Sequence, residues 1–285
     1  MKISRECYLC IYTQTLNLTK RLGLDEYKAS EVLRGVAKII SKYPLNVTPP
    51  EIAAEVYDFI SEITGISDPF KEAKKEAITE ALKFKEILQT KLKNSQNPLL
   101  EACKIAVAGN VIDLGVNQTY DLDKEIESIF DIEFKHNNFN DLKEKLKSAK
   151  SIVYLGDNAG ENVFDEILIK ELRNFADKIY YFARGKPIIN DITVNDLKGL
   201  EISDLAEVID SGVDTPGFHL NRANERAKKL FFDADLVISK GMGNFECLFG
   251  ECGREVFYLF KVKCNVVARA CGADVGDYVL LKGKK

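Results

Sequence analysis

Ser151-Ile-Val-Tyr-Leu-Gly-Asp-Asn-Ala-Gly-Glu161 begins as a run of β-branched and aromatic residues and stops abruptly at glycine, after which acid, amide, glycine and acid follow. The apolar run predicts a buried strand, and the polar residues are what that strand delivers to its carboxyl end. In an open parallel sheet this end faces the crevice where backbone N–H groups and side chains gather around a ligand. Asp157 and Asn158 offer hard oxygen donors there, a pairing suited to Mg²⁺ or Mn²⁺ rather than to zinc.

Working outward, short apolar runs recur downstream at Ile179 to Ala183, Glu207 to Ile209, Leu236 to Ser239, Val256 to Phe260 and Tyr278 to Leu281, with helical patterns between them. That rhythm is a layered α/β domain with a mostly parallel sheet over residues 148–285. Upstream the period is helical. Val32, Val36, Ile39 and Ile40, then Ile52, Val56, Phe59, Ile60 and Ile63, follow three- and four-residue spacing, so residues 1–147 read as an all-α domain packed on the α/β one. Tyr43-Pro44, Thr48-Pro49-Pro50 and Asp68-Pro69 mark boundaries, with Thr48 and Asp68 expected to cap helices that start at proline.

Composition bounds the function. The chain has 285 residues, 46% hydrophobic and 29% charged, enough for one large or two modest domains. A formal charge of −4, with basic residues interleaved among acids as in Lys71 to Lys93, argues against a nucleic-acid partner. No apolar run reaches the roughly 18 residues of a membrane span. The start, MKISRECYLC, lacks a secretory apolar core, so a cytoplasmic protein is expected. The seven cysteines are then thiols or ligands rather than a disulfide framework.

A site at one edge of a sheet draws groups from several strand ends. In Ala183-Arg-Gly-Lys-Pro-Ile-Ile-Asn-Asp191, Arg184 and Lys186 suit phosphate oxygens, and Asp191 would complete an oxygen set with Asp157 and Asn158. In Ser239-Lys-Gly-Met-Gly-Asn-Phe-Glu246, Gly241 and Gly243 allow close backbone approach as an anion nest beside the point charge of Lys240. Ser211-Gly-Val-Asp-Thr-Pro-Gly217 is a turn-rich loop able to reach the same crevice. Singly, each has a plain structural alternative: a turn, a helix cap at Asp191, a surface loop at Lys240. Their coincidence at the ends of strands in one sheet favours a site. A phosphate loop of the G-x-x-x-x-G-K-[ST] kind and a G-x-S-x-G elbow are both missing, and His136 and His219 are the only histidines. Acid, amide and lysine remain, the parts of cation-assisted phosphoryl transfer.

Gly156-Asp-Asn-Ala-Gly-Glu161, Arg184-Gly-Lys-Pro-Ile-Ile-Asn-Asp191 and Lys240-Gly-Met-Gly-Asn-Phe-Glu246, in this order, resemble the damage-control phosphatase family, long catalogued as domain of unknown function 89. The resemblance spans nearly the whole chain. Gly109-Asn-Val-Ile-Asp113 is similar to another family segment, and Cys7-x-x-Cys10 resembles the subgroup common in archaea. The resemblance implies a helical domain over a Rossmann-like, three-layer α/β domain. It implies a phosphatase of small phosphorylated metabolites, such as phosphopantetheine-like or sugar phosphates, dependent on Mg²⁺, Mn²⁺, Co²⁺ or Ni²⁺. Asp157, Asn158 and Asp191 match the metal ligands, and Asp157, Asp191 and Lys240 the catalytic set. Glu161, Arg184, Lys186, Lys240, Gly241, Gly243 and Asn244 fall in the substrate-binding motifs.

Asn110 and Asp113, after the apolar stretch Leu99 to Val107, are either hydroxyl-binding groups or an ordinary helix end. Cys7 and Cys10 lie one helical turn apart and are either metal or redox ligands, with Cys264 or Cys271, or buried structural thiols. Two rival functions share the motifs: a binding module that holds a nucleotide or sugar phosphate without turnover, and an S-adenosylmethionine-dependent methyltransferase using Leu155 to Gly160 as a glycine-rich turn. The residues leave the oligomeric state open.

Overall fold

The computed structural model describes residues 1–109 and 122–283. Strands β1 (Phe134–Asn137), β2 (Ser151–Leu155), β3 (Lys178–Ala183), β4 (Glu207–Asp210), β5 (Leu236–Lys240), β6 (Val256–Lys261) and β7 (Tyr278–Gly283) form a sheet in the order β1-β7-β6-β5-β2-β3-β4. Every neighbouring pair is parallel except β6 with β7. Helices α1 (Arg5–Arg21), α2 (Glu26–Lys42), α3 (Pro49–Thr64), α4 (Lys71–Lys93), α5 (Pro98–Ala108), α6 (Leu122–Phe130) and α7 (Phe139–Leu146) come first, and α8 (Glu161–Leu172), α9 (Ile202–Leu205), α10 (Glu225–Asp233), α11 (Gly241–Leu248) and α12 (Asn265–Cys271) follow. No described helix is long and apolar enough to cross a membrane.

The six strands expected from the apolar runs are all present. β1 is an addition, inside the segment whose periodicity reads as helical. Phe134-Lys-His-Asn137 has a single apolar residue, so no local pattern marks it; parallel pairing with β7 makes it an edge strand. Thr48 caps α3 in a reciprocal box, Glu51 Oε2 accepting from its backbone N–H at 2.7 Å and its hydroxyl at 2.9 Å. Asp68 does not cap α4, which begins three residues later. Its carboxylate instead accepts from Phe70 N–H at 3.1 Å in an Asx turn, and pairs with Lys74.

Because alternate strand residues face opposite ways, the sheet has two cores. Ile152 and Tyr154 join α4, α5 and α8 on one face. Val153 and Leu155 join α10, α11 and α12 on the other. Helices α1, α2 and α3 close on a third core of their own, with Val32, Val36 and Ile39 among Ile52, Val56 and Ile60. From β2 the chain steps outward to β3 and β4; it then returns to β5, on the other side of β2, and steps away to β6. The β2/β5 junction is therefore the topological switch point, where the two chain directions leave a crevice open beyond the carboxyl ends.

One buried ion pair fastens the helices to that edge. Lys74, 1% exposed on α4, reaches Asp68 and Asp196, each at 2.8 Å, and Asp196 also holds Thr193 through its N–H and its hydroxyl. Lys74→Met leaves two carboxylates without their cation and is expected to cost about 3 kcal/mol, read from denaturant unfolding.

Candidate active site

Beyond β2 and β3 the chain makes a second, short pairing. Ile192 N–H donates to Asp157 O at 2.8 Å and Ala159 N–H to Asn190 O at 2.9 Å, an antiparallel bridge that sets Asn158 against Asp191. Asp157, Asn158 and Asp191 are thus brought together by backbone, before any side chain is considered. Arg184, buried just past β3, completes the frame. Its Nε donates to Asp191 Oδ2 at 2.7 Å, one terminal nitrogen donates to Gly156 O at 3.1 Å, and the other lies 3.7 Å from Asp157 Oδ1 with no hydrogen-bond partner. Arg184 therefore sits behind the carboxylates, holding them, rather than out in the crevice.

Glu161 and Lys240 are also turned inward. Asn158 Nδ2 donates to Glu161 Oε1 at 2.8 Å and to Asp157 Oδ2 at 3.0 Å, which commits its amide hydrogens, while Oδ1 takes no hydrogen bond among the described residues. Lys240, fully buried, donates to Glu161 Oε2 at 3.2 Å and to Asp165 Oδ1 at 2.9 Å. Asp165 also accepts from the hydroxyls of Tyr154 at 2.6 Å and Tyr181 at 2.9 Å. Burial draws the Lys240 pKa down, but Asp165 and Glu161 outweigh it and the ammonium is held charged.

Two glycines let the elements approach. Gly241, at φ 75°, would put a Cβ 1.8 Å from Asp157 Oδ2, so only hydrogen fits between β5 and the Asp157 carboxylate. Gly243 abuts Pro216 O, which brings the Ser211 to Gly217 loop to the crevice. Asn244, buried, ties three segments, donating to Gly156 O and Lys240 O and accepting from Phe218 N–H. Lys186 is exposed and absent from the crevice wall. Asn110 and Asp113 lie outside the described residues; Gly109, immediately before them, packs against Glu161.

The crevice is a cavity of about 380 Å³, walled by Asp157, Asn158 and Asp191, by Gly241 and Gly243, and by the starts of α1 and α3 through Ile11, Pro49, Pro50 and Ala53. Ile189, at φ 48°, stands in left-handed backbone on the same wall, a strain of about 1–3 kcal/mol of the sort that gathers at functional sites. Burial lifts Asp157 well above the carboxylate range, with Glu161 and Asp191 adding to the effect, and lifts Asp191 to about 6 against the pull of Arg184. Four carboxylates, Asp157, Glu161, Asp165 and Asp191, meet the buried cations Arg184 and Lys240, and Lys263 on the cavity wall also acts on Asp157.

Sequence reasoning missed Asp165, Tyr154, Tyr181 and Glu246. The signal for Asp165 is an acid four residues after Glu161, on the same helix face; for the tyrosines it is a hydroxyl on a buried strand face, which needs a partner. Asp165→Asn leaves Lys240 underpaired, and an unfolding cost of about 3–5 kcal/mol is expected in denaturant titration. Gly65 is also in left-handed backbone but in open space. Gly65→Ala should cost about 1–2 kcal/mol, the conformational price alone; Gly241→Ala should cost clearly more, the excess reporting the collision with Asp157.

Residues 3–279 match the family described as Damage-control phosphatase ARMT1-like domain. The chain is 35% identical to an uncharacterized protein of Methanocaldococcus jannaschii, over 99% of this chain and 96% of that one. It is 32% identical to a damage-control phosphatase of Pyrococcus horikoshii, over 100% and 99%, and 31% identical to one of Archaeoglobus fulgidus, over 98% of each. The crystal structure of a duf89 family protein from Pyrococcus horikoshii superposes with a TM-score of 0.93 at 32% identity, covering 100% of both chains. With the sheet, the switch-point crevice and its carboxylates in view, these matches establish that the chain belongs to the damage-control phosphatase family with the ARMT1-like domain.

Proposed function

We propose that this protein is a divalent-cation-dependent phosphatase of small phosphorylated metabolites. The observation that carries the reading is the wall where a backbone bridge sets Asn158 against Asp191 beside Asp157, two acids whose burial raises their pKa and whose oxygens border the cavity. No three His, Cys, Asp or Glu side chains among the described residues form a ready metal cluster. The proposed set is instead two carboxylates and an amide: Asp157, Asp191 and the Oδ1 of Asn158, all hard oxygens suited to Mg²⁺, Mn²⁺, Co²⁺ or Ni²⁺. Bound there, the cation supplies neutralisation of phosphate oxygens and polarisation of the phosphoryl group.

The chain's own residues do the rest. Arg184 fixes the Asp157 and Asp191 carboxylates, and Glu161 holds the Asn158 amide with its oxygen outward. Lys240 is absent from the cavity wall and would reach a phosphate oxygen only by leaving its longer contact, Glu161 Oε2, so in this arrangement it acts as a buried positive charge held by Asp165 behind the carboxylates. The backbone of Gly241 and Gly243 lets the phosphoryl group come close. Hydrolysis breaks the bond from phosphorus to the ester oxygen, and water supplies the replacing oxygen. Either water attacks directly, or the Asp157 carboxylate attacks first and water releases the phosphoryl aspartate. The apolar wall from α1 and α3 takes the body of the metabolite, a phosphopantetheine-like or sugar phosphate, with Asn110 and Asp113 assigned to its hydroxyls.

Incubation with p-nitrophenyl phosphate and Mg²⁺, Mn²⁺, Co²⁺ or Ni²⁺ should release p-nitrophenol only with metal, and Asp157→Ala should abolish it at unchanged melting cooperativity. Full activity in that variant refutes the assignment. Rapid quench with labelled substrate separates the two attacks: label retained on Asp157 selects the covalent route. A panel of phosphorylated metabolites then ranks substrates by kcat/KM.

A further inference from the structure

Two acids on the cavity wall stand outside the cation-binding set, Glu6 and Glu246. Glu6 is paired with Arg269 at 2.9 Å. The Glu246 carboxylate takes no hydrogen bond and no ion pair among the described residues, and the Met1 ammonium donates to its main-chain O instead. The cations on the same wall are directed elsewhere: Lys261 stands over the Tyr278 ring, 5.1 Å from its centroid, and Lys263 acts on Asp157. On the α1 side, Gln14 Nε2 turns to Cys10 Sγ at 3.6 Å. Glu246 is half-buried, and its oxygens are not sealed in protein but open onto the cavity. Withdrawal from bulk water raises its carboxyl to about 7. A carboxylate held this way without a donor is costly, and the cost is relieved by whatever donor enters the cavity.

Helical periodicity sets where that donor must be. Met242, Gly243 and Glu246 share the face of α11 that lines the cavity, while Asn244, Phe245, Cys247 and Leu248 turn into the protein. The first turn of this face holds the glycines set against Asp157 and Pro216, and Glu246 lies about 7.5 Å beyond Gly241 along the axis. A ligand whose phosphate sits at the glycines therefore brings atoms a few bonds from phosphorus to this carboxylate. The phosphate itself is no partner for it, since like charges repel. Building on the phosphatase reading above, we infer that Glu246 is a specificity-determining residue: its carboxylate accepts a hydrogen bond from a hydroxyl or an amine on the body of the phosphorylated metabolite. A body with neither leaves the carboxylate buried against carbon, and that unmet acceptor is what discriminates.

Three phosphonates of similar size test this, because their carbon–phosphorus bond does not hydrolyse: dihydroxypropylphosphonate, aminopropylphosphonate and propylphosphonate, each titrated calorimetrically into the protein with Mg²⁺ present. The unmutated protein should prefer a donor-bearing ligand over propylphosphonate by about tenfold or more. Glu246→Leu should erase that preference, measured against the variant's own affinity for propylphosphonate. Glu246→Gln keeps the size and an acceptor but drops the charge, so it should retain part of a hydroxyl preference and lose an amine preference. A residue that merely supports the wall would shift all the affinities together. Equal binding of the three ligands by the unmutated protein, or a preference that survives in Glu246→Leu, overturns the assignment while propylphosphonate binding still reports an intact phosphate site. Absence of binding by all of them overturns the phosphatase reading, and this inference with it.

Discussion

Like charges crowded out of water are the constraint on which this structure depends. Asp157, Glu161, Asp165 and Asp191 are all buried, and loss of solvation, with repulsion from Glu161 and Asp191 added, raises the Asp157 pKa well above its ordinary value. Such a cluster persists only where the surrounding chain over-determines it. Here the determinants are a two-bond backbone bridge, the Arg184 guanidinium and the ammonium of Lys240, each anchored by a different strand end.

The fold supplies those anchors through its topology. The switch between β2 and β5 sets Asp157 and Gly241 side by side, close enough that no side chain fits at the second position. The neighbouring β3 carries Arg184 to the back of the same crevice. Helix α8 then starts at Glu161 and returns Asp165 one turn later, beneath the ammonium and between two tyrosine hydroxyls that rise from adjacent strands. Lys240, Asp165 and both tyrosine hydroxyls each find their partners on other elements, a network that fixes them in place.

The helical amino-terminal region contributes differently. Its own core is separate, but α1 and α3 lend their edges to the cavity, and Lys74 on α4 grips the loop that follows Asp191. The cavity therefore has polar groups from the sheet side and apolar and thiol side chains from the helices on its wall.

The sequence by itself determined where along the chain the polar groups fall, because a buried strand that ends in Gly-Asp-Asn or Lys-Gly-Met-Gly has only its carboxyl end on which to expose them. It likewise determined the six principal strands and the helices of the first half, through periods of two and of 3.6 that local patterning makes visible. It did not mark β1, whose four residues become a strand only by pairing with β7. Nor did it divide the acids, amides and bases into those that face the cavity and those that stand behind it. Arg184, Glu161, Lys240 and Asn244 read alike with Asp157 and Asp191 as residues near a strand end, yet they point inward to one another. That sorting was decided by tertiary structure alone, since a side chain's direction here is set by the Asn158/Asp191 bridge and by the hydrogen-bond partner each group finds on another element, and neither is encoded in the spacing of residues along a single strand.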